Sequence, residues 1–240
     1  MSKCPDTNLE VRWRDSMSEI GEAWDGIAIE EWERQEEEHT LSPAGIAEQN
    51  DGLLRRYREF RRAADAVVAI WRNHPEVMAV ALIGSVAKAP WKEVPRFTSY
   101  RRAGIALWHE CKDVDLAVWL AHLRDLNGLR RAKDRALRDL HEETEAGVAS
   151  HQVDVFVLEP GTDRYLGRLC QFNRCPKGKA ECLVPGCGVT KFLRQHESFR
   201  WRPESLAADH TVRLFDRATG GLRRAADLPR PACQSPESRF

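Results

Sequence analysis

Three apolar runs of strand length interrupt a chain that is otherwise charged and helix-periodic. Val77-Met78-Ala79-Val80-Ala81-Leu82-Ile83 has no polar residue, so both of its faces must be covered, which predicts a central strand. Val114-Asp115-Leu116-Ala117-Val118-Trp119-Leu120 and Val153-Asp154-Val155-Phe156-Val157-Leu158 are nearly as apolar, and each is broken by a single carboxylate. Elsewhere hydrophobic residues step by three and four. Leu53, Leu54, Tyr57, Phe60, Ala64, Val67, Val68 and Trp71 predict a helix from about Pro43 or Gly45 to Asn73, with Arg55, Arg56, Arg58, Arg61 and Arg62 on its outer side. His74-Pro75 should end it. A further helix is predicted near Leu129 to Glu145, beginning after Asn127-Gly128, a pair that disfavours helix.

The remaining pattern divides the chain into four parts. Residues 1–42 contain an acidic amphipathic stretch, about Ser16 to His39, which reads as a helical extension ended by Thr40-Leu41-Ser42-Pro43. Its glutamates fit either a solvated helix face or a docking arm. Residues 43–162 hold the three apolar runs and form the predicted core. Residues 163–200 are rich in cysteine, glycine and proline, and residues 201–240 read as a hairpin over Thr211 to Asp227 followed by a polar, proline-rich tail expected to be disordered. The class expected is α+β: a mixed sheet flanked by helices, with an N-terminal helical extension and a C-terminal segment like a zinc knuckle.

Composition narrows the partners only slightly. Lys plus Arg equals Asp plus Glu at 37 each, so no global basic field marks a long nucleic acid as the partner. No apolar run reaches the roughly 20 residues that cross a bilayer, and the opening Met1-Ser2-Lys3-Cys4-Pro5-Asp6 lacks a signal core. Seven cysteines, an odd number, suit a reducing compartment. A cytoplasmic protein without a membrane partner is the expectation.

The chemistry lies in the carboxylates. Asp113 and Asp115 project from the same face of their strand while Val114, Leu116 and Val118 project from the other. Like charges at that spacing repel, and hard oxygen ligands at a polar strand end suit Mg²⁺ or Mn²⁺. Each acid taken singly could also be a turn, cap or solvated-face residue. Just after the first apolar run, Gly84-Ser85 opens a turn into a short helix limited by Pro90. A glycine there lets backbone approach a phosphate closely, and Ser85 could add a hydroxyl and an N–H, or merely cap the helix.

Taken in order, Leu82-Ile83-Gly84-Ser85, Asp113-Val114-Asp115-Leu116 and Val153-Asp154-Val155 resemble the DNA polymerase beta-like nucleotidyltransferase superfamily. The resemblance spans about Asp65 to Glu159. It implies that Asp113, Asp115 and Asp154 hold two Mg²⁺ ions and act catalytically, with Asp154 helping to take the acceptor's proton. It further implies that Gly84, Ser85 and Lys88 bind the triphosphate of an NTP, with ATP the expected donor. The implied reaction moves a nucleoside monophosphate, AMP from ATP, to a hydroxyl and releases pyrophosphate. The acceptor could be a protein side chain, an RNA 3′ end or a small molecule such as an aminoglycoside. An alternative is a non-catalytic nucleotide- or RNA-binding module of the same fold. This chain departs from the superfamily in the length between Ser85 and Asp113. The surplus at 86–112 carries Lys92, Arg96, Arg101, Arg102 and His109, and it reads equally as a substrate-binding loop or a tolerated insertion.

Cys170, Cys175, Cys182 and Cys187 follow the spacing x4, x6, x4. Four thiolates in a segment with few core formers suggest a structural Zn²⁺, with buried free thiols or a redox role as alternatives. His196 could replace one ligand. Arg168, Arg174, Lys177, Lys179, Lys191 and Arg194 would make such a knuckle basic enough to touch RNA. Neither His109-Glu110-Cys111 nor His141-Glu142-Glu143-Thr144-Glu145 has the spacing of a zinc hydrolase or deaminase.

Overall fold

The three apolar runs become three neighbouring strands, β1 (Val77–Ile83), β2 (Val114–Leu120) and β3 (Val153–Leu158). The computed structural model describes residues 43–88, 111–171, 187–195, 199–208 and 211–228. Its helices are α1 (Pro43–Trp71), the single-turn α2 (Gly84–Ala87) and α3 (Leu126–Thr144). Strands β4 (Tyr165–Leu169), β5 (Leu193–Arg194), β6 (Thr211–Asp216) and β7 (Gly221–Leu222) extend the sheet. The seven strands lie in the order β5-β4-β3-β2-β1-β6-β7. Only β2 and β3 run parallel, and every other neighbouring pair is antiparallel. Parallel neighbours need a long crossover, which α3 supplies. The class is therefore α+β with a mixed sheet. Beyond the first turn of α1, these elements belong to one unit, Ala47–Phe240. Among the described residues no helix is long and apolar enough to cross a membrane.

Alternation along the strands sorts their side chains into two layers. Val80, Leu82, Val114, Leu116, Val118, Val153, Val155 and Val157 face the helices, where they meet Tyr57, Phe60, Ala64, Val67 and Trp71 of α1 and Leu126, Leu129, Ala136 and Leu137 of α3. Ala79, Ala81, Ile83, Ala117, Trp119, Phe156 and Leu158 face the opposite way, where Tyr165, Phe199, Trp201 and Leu206 pack on them. Small residues in β1 and the adjoining stretch of β2 leave room for large aromatics above β3.

Several sequence expectations change in the structure. Arg61 does not occupy the outer side of α1: it is buried, donates to the Leu228 carbonyl at 2.9 Å and to the Tyr57 hydroxyl at 2.5 Å, and lies 4.4 Å from the centre of the Tyr57 ring. The cause is a short turn, Ala225–Asp227, that folds back over α1, where Asp65 accepts from the Ala225 and Ala226 amides. Helix α3 starts at Leu126, ahead of Asn127-Gly128, because the Asp125 side chain accepts from the Gly128 amide at 2.8 Å and caps the first turn. A side chain at position 128 would collide with that capping carboxylate. The sheet also recruits segments beyond residue 162: β4 and β5 come from the cysteine-rich stretch, and β6, the first strand of the hairpin, pairs with β1. The acidic stretch at 16–39, Lys92 to His109 of the insertion, Cys175, Cys182, His196 and the tail past Leu228 lie outside the described residues.

Trp71 joins the two helices. It is fully buried, and its indole N–H donates to the Leu129 carbonyl of α3 at 3.0 Å. Trp71→Ala should cost about 3–5 kcal/mol of unfolding free energy, the range for a buried aromatic replaced by alanine. Trp71→Phe should cost about 1–3 kcal/mol, because a buried carbonyl loses its donor. Urea denaturation followed by circular dichroism measures both.

Candidate active site

The parallel register of β2 and β3 sets Asp115 directly against Asp154. Side chains of paired residues in neighbouring strands point to the same face, roughly 4.8 Å apart at the backbone. Asp113 stands two residues before Asp115 and joins that face from an exposed position ahead of β2. All three acids lie on the aromatic side of the sheet, opposite the helices, in line with Ala117 and Phe156.

The Gly-Ser turn arrives at the same place. Ile83, the last residue of β1, pairs with Asp115, so Gly84 begins α2 beside that carboxyl. Its φ is +71°, and a Cβ there would overlap Asp115 Oδ2. Both conditions require glycine. Ser85 follows in the single turn of α2, and the Lys88 amide donates to the Ser85 carbonyl at 3.3 Å. The Lys88 carbonyl accepts from the Tyr57 hydroxyl, which ties the end of the turn to α1. Gly84, Ser85, Asp113, Asp115 and Asp154 are thus brought together from β1, β2 and β3, and Lys88 stands one turn away.

Crowding the acids has an electrostatic cost. The Asp115 carboxyl is pushed up to about 7, first by burial, then by Asp154 and Asp113, against the opposing pull of Arg168. Asp113 is raised as well, by burial and then by Asp154, with His151, Arg168 and Lys112 opposing. A carboxylate held above its ordinary range favours either a proton or a cation.

Two basic residues shape this cluster: Arg168, which the sequence reading places in a basic knuckle, and Lys133, which it does not single out. Arg168 does not belong to a separate basic knuckle: it lies on β4, its Cα paired with Phe156, and its Nη1 donates to Asp154 Oδ2 at 3.0 Å. Its guanidinium sits 4.6 Å from the Phe156 ring centre and 4.8 Å from that of Phe199. The available signal was the alternation Tyr165-Leu166-Gly167-Arg168-Leu169 after the Pro160-Gly161 turn, which marks a strand returning along β3. Lys133 is buried in α3, and its Nζ donates to the carbonyls of Ser150 at 2.7 Å and Val153 at 3.1 Å. That fixes the backbone immediately before Asp154. Burial lowers Lys133 to about 8, with Asp134 and Asp154 opposing.

Three carboxylates on one face, two of them in register, form an oxygen donor set suited to Mg²⁺ or Mn²⁺. Among the described residues no three such side chains are already gathered into a ligating group, and the charge of Asp154 is met by Arg168. The chemistry of the donors fits a divalent cation, and one bound at Asp154 Oδ2 would have to replace Arg168 there.

Two of the four cysteines are described, and neither forms a disulfide. Cys170 is buried at the end of β4, its amide donating to the Phe192 carbonyl at 2.8 Å, and Cys187 is half-buried in a bridge with Thr190 on the way to β5. Comparison with known proteins gave no match: no family model, no curated protein and no solved structure aligns with this chain.

The state of Asp115 gives a sign to the pH dependence of stability. Between its ordinary value of 3.8 and about 7, the folded carboxyl holds a proton that the unfolded chain has released. Stability contributed here is therefore greatest on the acid side and falls as pH rises through that window. Asp115→Asn should flatten the fall, and Mn²⁺ should raise the melting temperature of the wild-type protein more at pH 8 than at pH 5. Thermal melts across pH 4.5–8 test it, and a slope that Asp115→Asn leaves unchanged would assign the effect elsewhere.

Proposed function

We propose that the chain is a divalent-cation-dependent nucleotidyltransferase of the polymerase beta-like type, acting in the cytoplasm, with an NTP as donor and ATP the first candidate. The observation that carries the reading is the placement of Asp115 against Asp154, with Gly84 packed on the Asp115 carboxyl. This reproduces in space the order Gly-Ser, Asp-x-Asp, Asp that the sequence displays. When bound, Mg²⁺ would supply charge neutralisation of the phosphates and a lowered pKa for the attacking hydroxyl.

The protein's own residues would do the rest. Asp113 and Asp115 would hold the cation that faces the triphosphate. Asp154, on the neighbouring strand, would share in holding the second and receive the acceptor's proton. Gly84 would let the phosphate chain pass close to the backbone, and Ser85 would donate its hydroxyl to a phosphate oxygen. A bond would form between the acceptor oxygen and the α-phosphorus while the bond from that phosphorus to the bridging oxygen breaks, releasing pyrophosphate. Positioning and electrostatics account for most of the rate in such transfers.

The acceptor is a hydroxyl of a protein, an RNA or a small molecule, and one experiment both tests the activity and sorts these classes. The full chain is incubated with α-labelled ATP, Mg²⁺ and a cell lysate, and label is followed into protein, RNA and small-molecule fractions. Incorporation with release of pyrophosphate is expected. Asp113→Asn and Asp115→Asn should each lower it by at least about a hundredfold, the scale of losing a principal electrostatic group. Undiminished incorporation in either variant would sink the assignment, and tight nucleotide binding without pyrophosphate would leave a binding module of the same fold.

Structural Zn²⁺ on Cys170, Cys175, Cys182 and Cys187 belongs to the same reading. It draws on Cys170 directly after β4 and Cys187 six residues before β5, the two described cysteines that flank Cys175 and Cys182 in the sequence. Metal analysis of the purified protein should find one zinc per chain, lost in Cys170→Ser. A zinc-free wild-type protein of full stability would remove this part of the proposal.

A further inference from the structure

Arg168 stands where a metal ligand should be free. Among the described residues it is the cation in direct contact with the acid cluster, 3.0 Å from Asp154 Oδ2, and it reaches there from the neighbouring strand β4. The Asp154 side chain retains 25% of its exposure and that of Arg168 22%, so the pair lies at the boundary of the site, open to exchange with solvent and substrate. Rings of Phe156 and Phe199 lie within 5 Å of the guanidinium carbon. They hold the group beside the acids whichever oxygen it is bonded to. Among the described residues its buried Nε has no partner. A buried donor left unsatisfied favours any arrangement that brings it an oxygen.

A guanidinium and a divalent cation cannot share one carboxylate oxygen at close range without strong repulsion. A cation that binds Asp154 at Oδ2 therefore displaces Arg168, and one that binds at Oδ1 is still repelled by it. An arginine released between the Phe156 and Phe199 rings next to bound polyphosphate can be met by a phosphate oxygen, which accepts its planar fork as the carboxylate did, once the neighbouring acids are engaged by the cation.

We propose that Arg168 is a positioning residue that competes with the divalent cation for Asp154 and, once displaced, bonds a phosphate oxygen of the nucleotide. The inference rests on the nucleotidyl-transfer reading and adds a coupling to it. Cation and nucleotide each favour the displaced arrangement of Arg168, so each raises the affinity for the other, reciprocally. In the absence of both, Asp154 Oδ2 is held by its own counter-ion.

The test follows Mn²⁺ binding by electron paramagnetic resonance on the full chain, with and without α,β-methylene-ATP, in the wild type, Arg168→Lys and Arg168→Met. Without nucleotide, Arg168→Met should bind Mn²⁺ about fivefold or more tightly than the wild type, since a neighbouring positive charge is gone. Arg168→Lys, which keeps the charge and loses the fork, should fall between. The nucleotide analogue should tighten Mn²⁺ binding in the wild type, and Arg168→Met should shrink that enhancement to the part its phosphates give by coordinating Mn²⁺ directly, along with a loss of roughly tenfold in affinity for the analogue itself. Should Arg168→Met fail to fold by circular dichroism, Arg168→Lys carries the comparison alone. Mn²⁺ affinity equal to or weaker than that of the wild type in folded variants overturns the inference while leaving the proposed activity standing. Absence of Mn²⁺ binding from the wild type as well overturns both.

Discussion

Everything in this molecule turns on placing carboxylates side by side inside an apolar sheet. Asp115 and Asp154 are paired residues on parallel strands, each embedded in a run of buried valine, leucine and phenylalanine. Burial and repulsion from Asp154 both work against the charged form of Asp115. Such an arrangement persists only if the surrounding packing is strong enough to impose it. Here the helix-facing layer provides that strength, because Leu116 and Val155 of the same strands are anchored beneath α1 and α3. The larger buried cluster lies on one face of the sheet, and the acids stand on the other beside the smaller aromatic one.

The connections that hold the acids in place come from distant parts of the chain. Lys133 fixes the start of β3 from below, through two carbonyls, while Arg168 bonds the Asp154 carboxylate from the side. Gly84 leaves space for the Asp115 carboxyl because it has no Cβ. Behind it, Tyr57 holds the Lys88 carbonyl and is itself held by Arg61, whose other bond reaches Leu228. The turn that approaches the acids is thus braced by α1 and by the far C-terminal segment, and β1 is braced along its other edge by β6. Breaking one of these links would loosen the acids without touching them.

The elements built from period-two and period-four hydrophobicity were readable in the sequence. The bounds of β1, and the buried positions of α1 from Tyr57 to Trp71, follow the pattern directly. Asp113, Asp115, Asp154 and Gly84 could be named because an acid inside an apolar strand, or a glycine just after one, is locally anomalous. What pattern alone could not reveal was pairing. The neighbour of β1 on one side is β6, a strand that reads as half of an isolated hairpin, because its partner is remote in sequence and leaves no local trace. Arg61, Lys133 and Arg168 were illegible for a related reason. A charged residue in a helix or short strand ordinarily marks the solvent side, and only the tertiary neighbours (the Leu228 carbonyl, the Val153 carbonyl and Asp154) turn these three inward.

These three inward cations also explain how so charged a chain closes a core around acids. Arg61 and Lys133 are spent on backbone carbonyls, groups that cannot leave, and so they are fixed parts of the scaffold. Arg168 differs from them in its partner. It is bonded to an ionisable side chain at a partly open edge. Carbonyl-bonded cations can only stabilise the fold that places them, whereas a carboxylate-bonded one can be exchanged for another positive charge. By this distinction Arg61 and Lys133 stand apart from Arg168 more sharply than by burial, since their carbonyl partners carry no charge that another cation could claim.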